Sequence, residues 1–165
     1  SLQLPCCGPE PEADMPAPPL FAYGTLQDAD ILAAVLGRPV APDSLVPATA
    51  PGHAAVCYPG RVYPALVARP DAHASGRLIA GLAAFDLMVL DAFEGDEYRR
   101  AEIRVRAGGR ELMAEAYLPA AAIPADAPAW TLSDWTGRHK PAALAGEVGL
   151  AADLRRRLSA RRRQE

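Results

Sequence analysis

The chain has 165 residues, enough for one domain with its own core and too few for two of ordinary size. Its net charge of −3 offers no general attraction to nucleic acid or to an anionic membrane. Half the residues count as hydrophobic, a figure swollen by alanine, so the Leu, Val, Ile and aromatic positions stand out as the core formers.

Residues 1–19 hold Pro5, Pro9, Pro11, Pro16, Pro18 and Pro19 among small and acidic residues. Such a segment lacks backbone donors and has little to bury, which predicts a flexible extended arm, with Met15 a candidate natural start. A domain over 20–145 and an Arg-rich C-terminal helix over 146–165 follow. The cysteines are Cys6, Cys7 and Cys57; no Cys-x-x-Cys spacing or Cys/His cluster exists, so neither a disulfide framework nor a zinc site is expected. Cys57, in an apolar run, reads as a small buried hydrophobe. No apolar run reaches the ~18 residues of a membrane span. The N-terminus lacks the basic start of a secretory signal, which makes the cytoplasm the expected compartment.

Residues 20–23 read as a buried strand broken by Gly24. Thr25 or Asp28 is placed to cap the helix that follows, in which Ile31, Leu32, Val35 and Leu36 recur at helical spacing until Gly37. Over 44–69, short apolar runs cut by Pro and Gly (45–46, 53–58, 65–68) predict short strands with irregular connections. Residues 78–85 predict another strand, and 86–93 a short helix. Gly108-Gly109 marks a two-residue hairpin turn. Its register sets Val105 opposite Leu112, Ile103 opposite Ala114 and Arg106 opposite Glu111. Glu102 then faces Glu115, a like-charge pair that needs relief from Arg100 or Arg104, and Tyr117 shares the half-polar face of Glu115. Ser133 is placed to cap a helix after Trp130, and Leu150, Leu154 and Leu158 form an apolar stripe on the Arg-rich helix. This order of elements predicts an α+β domain and not a regular βαβ alternation.

Two short stretches carry chemistry. In Tyr23-Gly24-Thr25-Leu26, a glycine after a strand either permits a tight turn or lets successive N–H groups cradle a carboxylate. Asp91, Glu94, Asp96 and Glu97 form either the solvated end of a helix or a source of an acid–base carboxyl, and they lack the pattern of a calcium loop. His53, His73 and His139 show no triad-like arrangement with Ser or Cys.

Together these stretches resemble the gamma-glutamylcyclotransferase-like superfamily, and within it the AIG2-like branch. Tyr23 to Leu26 matches its Tyr-Gly-Ser/Thr-Leu turn, residues 90–95 its Leu-Asp-x-Phe-Glu-Gly segment, and Tyr98-Arg99-Arg100 its Tyr-x-Arg strand entry. Tyr63-Pro64-Ala65-Leu66, Ala116-Tyr117-Leu118 and the Trp130…Trp135…His139 stretch resemble further family segments, so the likeness spans about residues 20–140. It implies a small mixed β-barrel-like sheet with flanking helices. It also implies a cofactor-independent, metal-free enzyme that cyclises a γ-glutamyl amine, amino acid or conjugate to 5-oxoproline. In that reading Glu94 is the general acid/base, and Tyr23, Gly24, Thr25, Leu26 and Tyr117 bind the substrate. The partner expected is this small molecule, with no nucleic acid, despite Arg155-Arg156-Arg157 and Arg161-Arg162-Arg163, and no membrane. No motif encodes the oligomeric state or the group attached to the glutamyl moiety. The alternative is a non-catalytic module that keeps the pocket for small-molecule binding or protein interaction.

Overall fold

The computed structural model describes residues 18–164. The arm expected over 1–19 lies outside those residues except for Pro18 and Pro19, as do Met15, Cys6 and Cys7. Strands β1 (Leu20–Ala22), β2 (Val46–Cys57), β3 (Pro64–Ile79), β4 (Tyr98–Ala107) and β5 (Arg110–Pro119) close into a barrel in the order β1-β3-β2-β4-β5. β1 meets β5 in parallel, and the other pairings are antiparallel, so the sheet is mixed as expected. Helices α1 (Ala29–Leu36), α2 (Ala84–Glu94), α3 (Leu132–Arg138) and α4 (Lys140–Gln164) flank it, giving an α+β domain. No helix among the described residues is long and apolar enough to cross a membrane.

Alternation along β1 divides the apolar interior. Phe21 enters the barrel with Leu66, Ile103, Val105 and a set of alanines, while Leu20 and Ala22 face the helices with Ile31, Leu32, Leu90 and Trp135. The alanines are core residues in their own right: Ala50, Ala65, Ala114 and Ala116 have no exposed surface. A five-stranded barrel is narrow, and small side chains are what its interior admits once Phe21 and Tyr23 are placed.

Several local expectations hold. Asp28 caps α1 by accepting from the N–H groups of Asp30 and Ile31, and Gly37 closes the helix in the left-handed conformation (φ 76°). The hairpin forms in the expected register, with φ 57° and 75° at Gly108 and Gly109, values that favour glycine. Arg100 relieves the Glu102–Glu115 opposition by pairing with Glu115.

Others are corrected. Residues 44–69 do not form separate short strands: β2 and β3 make one long antiparallel pair that carries Pro47, Pro51 and Pro70 within it, and the register shifts between Pro51 and His53. A proline at such a bulge removes no ladder bond that the shifted partner needs. The strand expected over 78–85 ends at Ile79, and α2 begins at Ala84, where the Asp86 carboxylate accepts from the Ala83 N–H at 2.9 Å. A short apolar run fits either period, and this local bond decides it. Thr131, not Ser133, caps α3, accepting from Asp134 N–H at 3.3 Å. On α4 the apolar contacts to the core run through Ala143, Leu144, Ala151 and Leu158, while Leu150 is 49% exposed. Arg155 fixes that orientation by donating to the carbonyls of Ala34 (2.7 Å) and Val35 (2.6 Å) at the end of α1.

Candidate active site

The chain leaves the barrel after β1 and turns at Gly24 into a short 3-10 turn over Thr25–Gln27. A Cβ at residue 24 would lie 2.9 Å from Pro64 Cγ, so glycine is what lets this turn press against the start of β3. Among the described residues, no backbone carbonyl accepts from the N–H groups of Thr25 or Leu26.

α2 brings Glu94 to the same place as its last residue. Tyr23, Gly24, Thr25, Leu26, Glu94 and Tyr117 all wall one small cavity of about 40 Å³, with Tyr63, Pro64 and Tyr98. Every site residue named from the sequence therefore converges. Through Thr25, Tyr63, Glu94 and Tyr98 this cavity adjoins a larger hollow of about 360 Å³, which Phe93, Trp135 and Glu147 help to bound.

The tyrosine hydroxyls are committed to the frame. Tyr23 donates to the Tyr117 carbonyl, Tyr98 to the Pro64 carbonyl at 2.5 Å, and Tyr117 to Asp91 Oδ1 at 2.8 Å. Burial raises all three above the ordinary phenol range, so they stay protonated donors at neutral pH. The expected Tyr117 hydrogen bond to a ligand thus meets a hydroxyl that already donates its proton to Asp91. Asp91 is held as well by Arg100, at 3.0 Å from its Nε, and this ties the last turn of α2 to the β4–β5 face.

Glu94 stands apart from this network. Its carboxyl has no hydrogen-bond partner among the described residues, and its pKa is pushed up to about 8. Burial is the largest cause, followed by the negative charges of Glu147, Glu97 and Asp91. Its position at the C-terminal, electronegative end of α2 works in the same direction. The neighbouring Glu97 behaves oppositely: the Tyr63 hydroxyl and the Arg61 guanidinium hold it below the ordinary carboxylate range. Two acids three residues apart thus take different states because one is paired and the other is not.

Phe93 borders the adjoining hollow beside Glu94, and Tyr23, Tyr98 and Tyr117 surround the carboxyl, which itself helps to raise their pKa values. Tyr63 and Tyr98 were legible as motif positions but not as cavity walls, and Glu147 carried no signal at all. What this arrangement offers chemically is an unpaired carboxyl of near-neutral pKa that lines one small cavity together with free backbone N–H donors. That combination suits proton transfer beside a bound anion or oxyanion.

Residues 20–137 match the family model described as "Gamma-glutamyl cyclotransferase, AIG2-like". The chain is 34% identical to AIG2-like protein A of Arabidopsis thaliana over 124 residues, 73% of each protein. It is also 34% identical to AIG2-like protein B of the same plant over 86 residues, 52% of this chain and 48% of that one. The solution structure of At5g39720.1 from Arabidopsis thaliana superposes with a TM-score of 0.61 at 26% identity, covering 80% of this chain and 89% of that one. That of At3g28950.1, also from Arabidopsis thaliana, shares the fold with a TM-score of 0.60 at 22% identity, over 79% and 81% of the two chains. The chain belongs to the gamma-glutamyl cyclotransferase, AIG2-like family.

Proposed function

We propose that this protein is a γ-glutamylcyclotransferase that converts a γ-glutamyl amine, amino acid or conjugate into 5-oxoproline and the free amine. A γ-glutamyl compound carries its own nucleophile: the α-amine lies one five-membered ring away from the γ-carbonyl. The protein then has to hold the chain folded and move protons, and intramolecular geometry of this kind supplies up to roughly 7–11 kcal/mol. Glu94 as carboxylate takes a proton from the α-ammonium. The freed nitrogen attacks the γ-carbonyl carbon, and the tetrahedral oxyanion or the substrate carboxylate is received by the N–H groups of Gly24, Thr25 and Leu26. The C–N bond to the departing amine breaks as Glu94 returns its proton to that nitrogen, and the second proton shed by the attacking nitrogen as the lactam forms leaves with the released amine, which departs as an ammonium. The ring and the free amine are the products, and the reaction as written is balanced without a cofactor.

The observation that carries this reading is the unpaired carboxyl of Glu94 in the same small cavity as the turn after β1. Catalysis is favoured over the binding-module reading because this carboxyl, with a pKa near that needed for proton transfer, lines the same small cavity as free backbone N–H donors. The test is a panel of γ-glutamyl amines and dipeptides assayed for 5-oxoproline. Wild type should release it from at least one member, and Glu94→Gln should abolish release while circular dichroism stays unchanged. Tight binding without turnover across the panel would transfer the site to the binding-module reading.

A further inference from the structure

The larger hollow beside Glu94 has one wall that the family match, residues 20–137, does not reach. Glu147 of α4 lines it, with its Oε2 fully buried and without a hydrogen-bond partner among the described residues. Burial holds this carboxyl above the ordinary carboxylate range. The other acids at the hollow are differently placed: Glu97 is engaged by Tyr63 and Arg61, and Asp96 is exposed. Much of the remaining wall is apolar or aromatic, from Val62, Phe93, Trp135 and Leu150, and no Lys or Arg lines the hollow.

A buried acid without a partner is unfavourable unless a ligand of opposite charge completes it. A hollow of about 360 Å³ with such an acid on one side and an indole on another is suited to an alkylammonium group. Glu94 stands between the two spaces, since it lines both. With the glutamyl end of a substrate against the turn after β1, the group beyond the scissile amide extends into the hollow toward α4. We infer that Glu147 reads a cationic amine on the departing group, so that the preferred substrates are γ-glutamyl conjugates of aliphatic amines bearing a second ammonium. This rests on the cyclotransferase reading and names its substrate class. The bond chemistry is unchanged; Glu147 touches the leaving group away from the atoms that react.

The test compares probes of matched length: mono-γ-glutamyl diaminobutane, γ-glutamyl butylamine and γ-glutamyl γ-aminobutyrate. For wild type, kcat/KM should favour the diaminobutane conjugate over the butylamine conjugate by about tenfold or more, with the carboxylate probe poorest. In Glu147→Gln and Glu147→Ala the preference should fall to within about threefold. The ratio is the readout because any change in the basicity of Glu94 affects both probes alike. Equal kcat/KM for cationic and neutral probes in wild type, or an unchanged preference in both variants, overturns the assignment. A calorimetric arm separates it from the reaction itself. In Glu94→Gln, Kd should favour the diaminobutane conjugate by a similar factor, and adding Glu147→Gln should remove that preference. Absence of 5-oxoproline from every probe with this binding preference intact would refute cyclisation and leave Glu147 as a cation reader. Absence of both would refute both.

Discussion

Glu94 should weaken the fold it serves. A carboxyl whose folded pKa lies above its unfolded value binds its proton more tightly in the native state. Stability is therefore fullest below the ordinary value of 4.5 and declines as pH rises toward about 8, where the native carboxyl finally ionises. The gap between 4.5 and about 8, at ~1.4 kcal/mol per unit, corresponds to about 5 kcal/mol, and solvent reaching the hollow reduces this to roughly 2–5 kcal/mol. That is a large part of the roughly 5–15 kcal/mol that holds a domain together. Glu94→Gln keeps the shape and removes the charge, so at about pH 9 the variant should melt roughly 5–15 °C above wild type, and at about pH 5 the two should nearly coincide. The measurement is urea and thermal unfolding of both proteins across that range, with Asp96→Asn as a control, since Asp96 is exposed. If the wild-type and Gln curves run parallel at every pH, the enclosure of Glu94 and the chemistry built on it are wrong.

Three further outcomes follow from particular contacts. The pH profile of kcat/KM for 5-oxoproline release should be bell-shaped, its acidic limb near about 8 from Glu94 and its alkaline limb from the substrate ammonium; an acidic limb near 4.5 would place Glu94 in open solvent. Gly24→Ala puts a Cβ 2.9 Å from Pro64 Cγ and 3.1 Å from its Cδ, atoms of a rigid ring, so the turn must shift. Steady-state kinetics should show kcat/KM down by about 10–100-fold, and a thermal melt a loss of only about 1–2 kcal/mol. Asp86→Asn should cost about 1–3 kcal/mol by urea unfolding, because the buried carboxylate grips half-exposed Arg38 through two bonds and accepts from the Ala83 N–H. The Asp86 pKa is depressed, chiefly by Arg38, so its contribution is present above the ordinary 3.8 and should fade as pH falls through the lower folded value.

What the sequence revealed depended on the range of the interaction. The β4–β5 register was readable because Gly108-Gly109 sets the turn and alternation does the rest, and the cap at Asp28 and the stop at Gly37 are equally local. The run over 78–85 was misread because its apolar residues fit both periods, and the Asp86–Ala83 bond that starts α2 is not a periodic signal. Pro51 and Pro70 looked like breaks, since the register shift beside them is a property of the pair and not of either strand. For the site, the meeting of Gly24 with Glu94 was reachable only through the family's motifs, because nothing local to either stretch points to the other. Tyr63 and Tyr98 were readable as motif positions at strand starts; they become cavity walls because the barrel closes and brings the starts of β3 and β4 together. Glu147 reads as one more charge on a polar helix. Its burial arises from the way Ala151, Leu158 and Arg155 seat α4 against its neighbours.

That last dependence bears on where specificity resides. The barrel interior is closed to ligands: Phe21 and a layer of alanines fill it, so any substrate must sit at the rim where β1 exits. The rim has two kinds of wall. The turn, Tyr117 and the starts of β3 and β4 belong to the barrel and are fixed by its hydrogen bonds, which suits recognition of the glutamyl group that every substrate of the proposed reaction would share. The far side is made by α2, α3 and α4, whose contacts are side-chain packing, so a substitution there reshapes the hollow without disturbing a ladder. A change such as Glu147→Gln should therefore alter which departing group is preferred while leaving the turn in place and removing one of the charges that raise the Glu94 pKa. On the proposed reaction, replacing α4 should therefore move the leaving-group preference while the product ring stays the same.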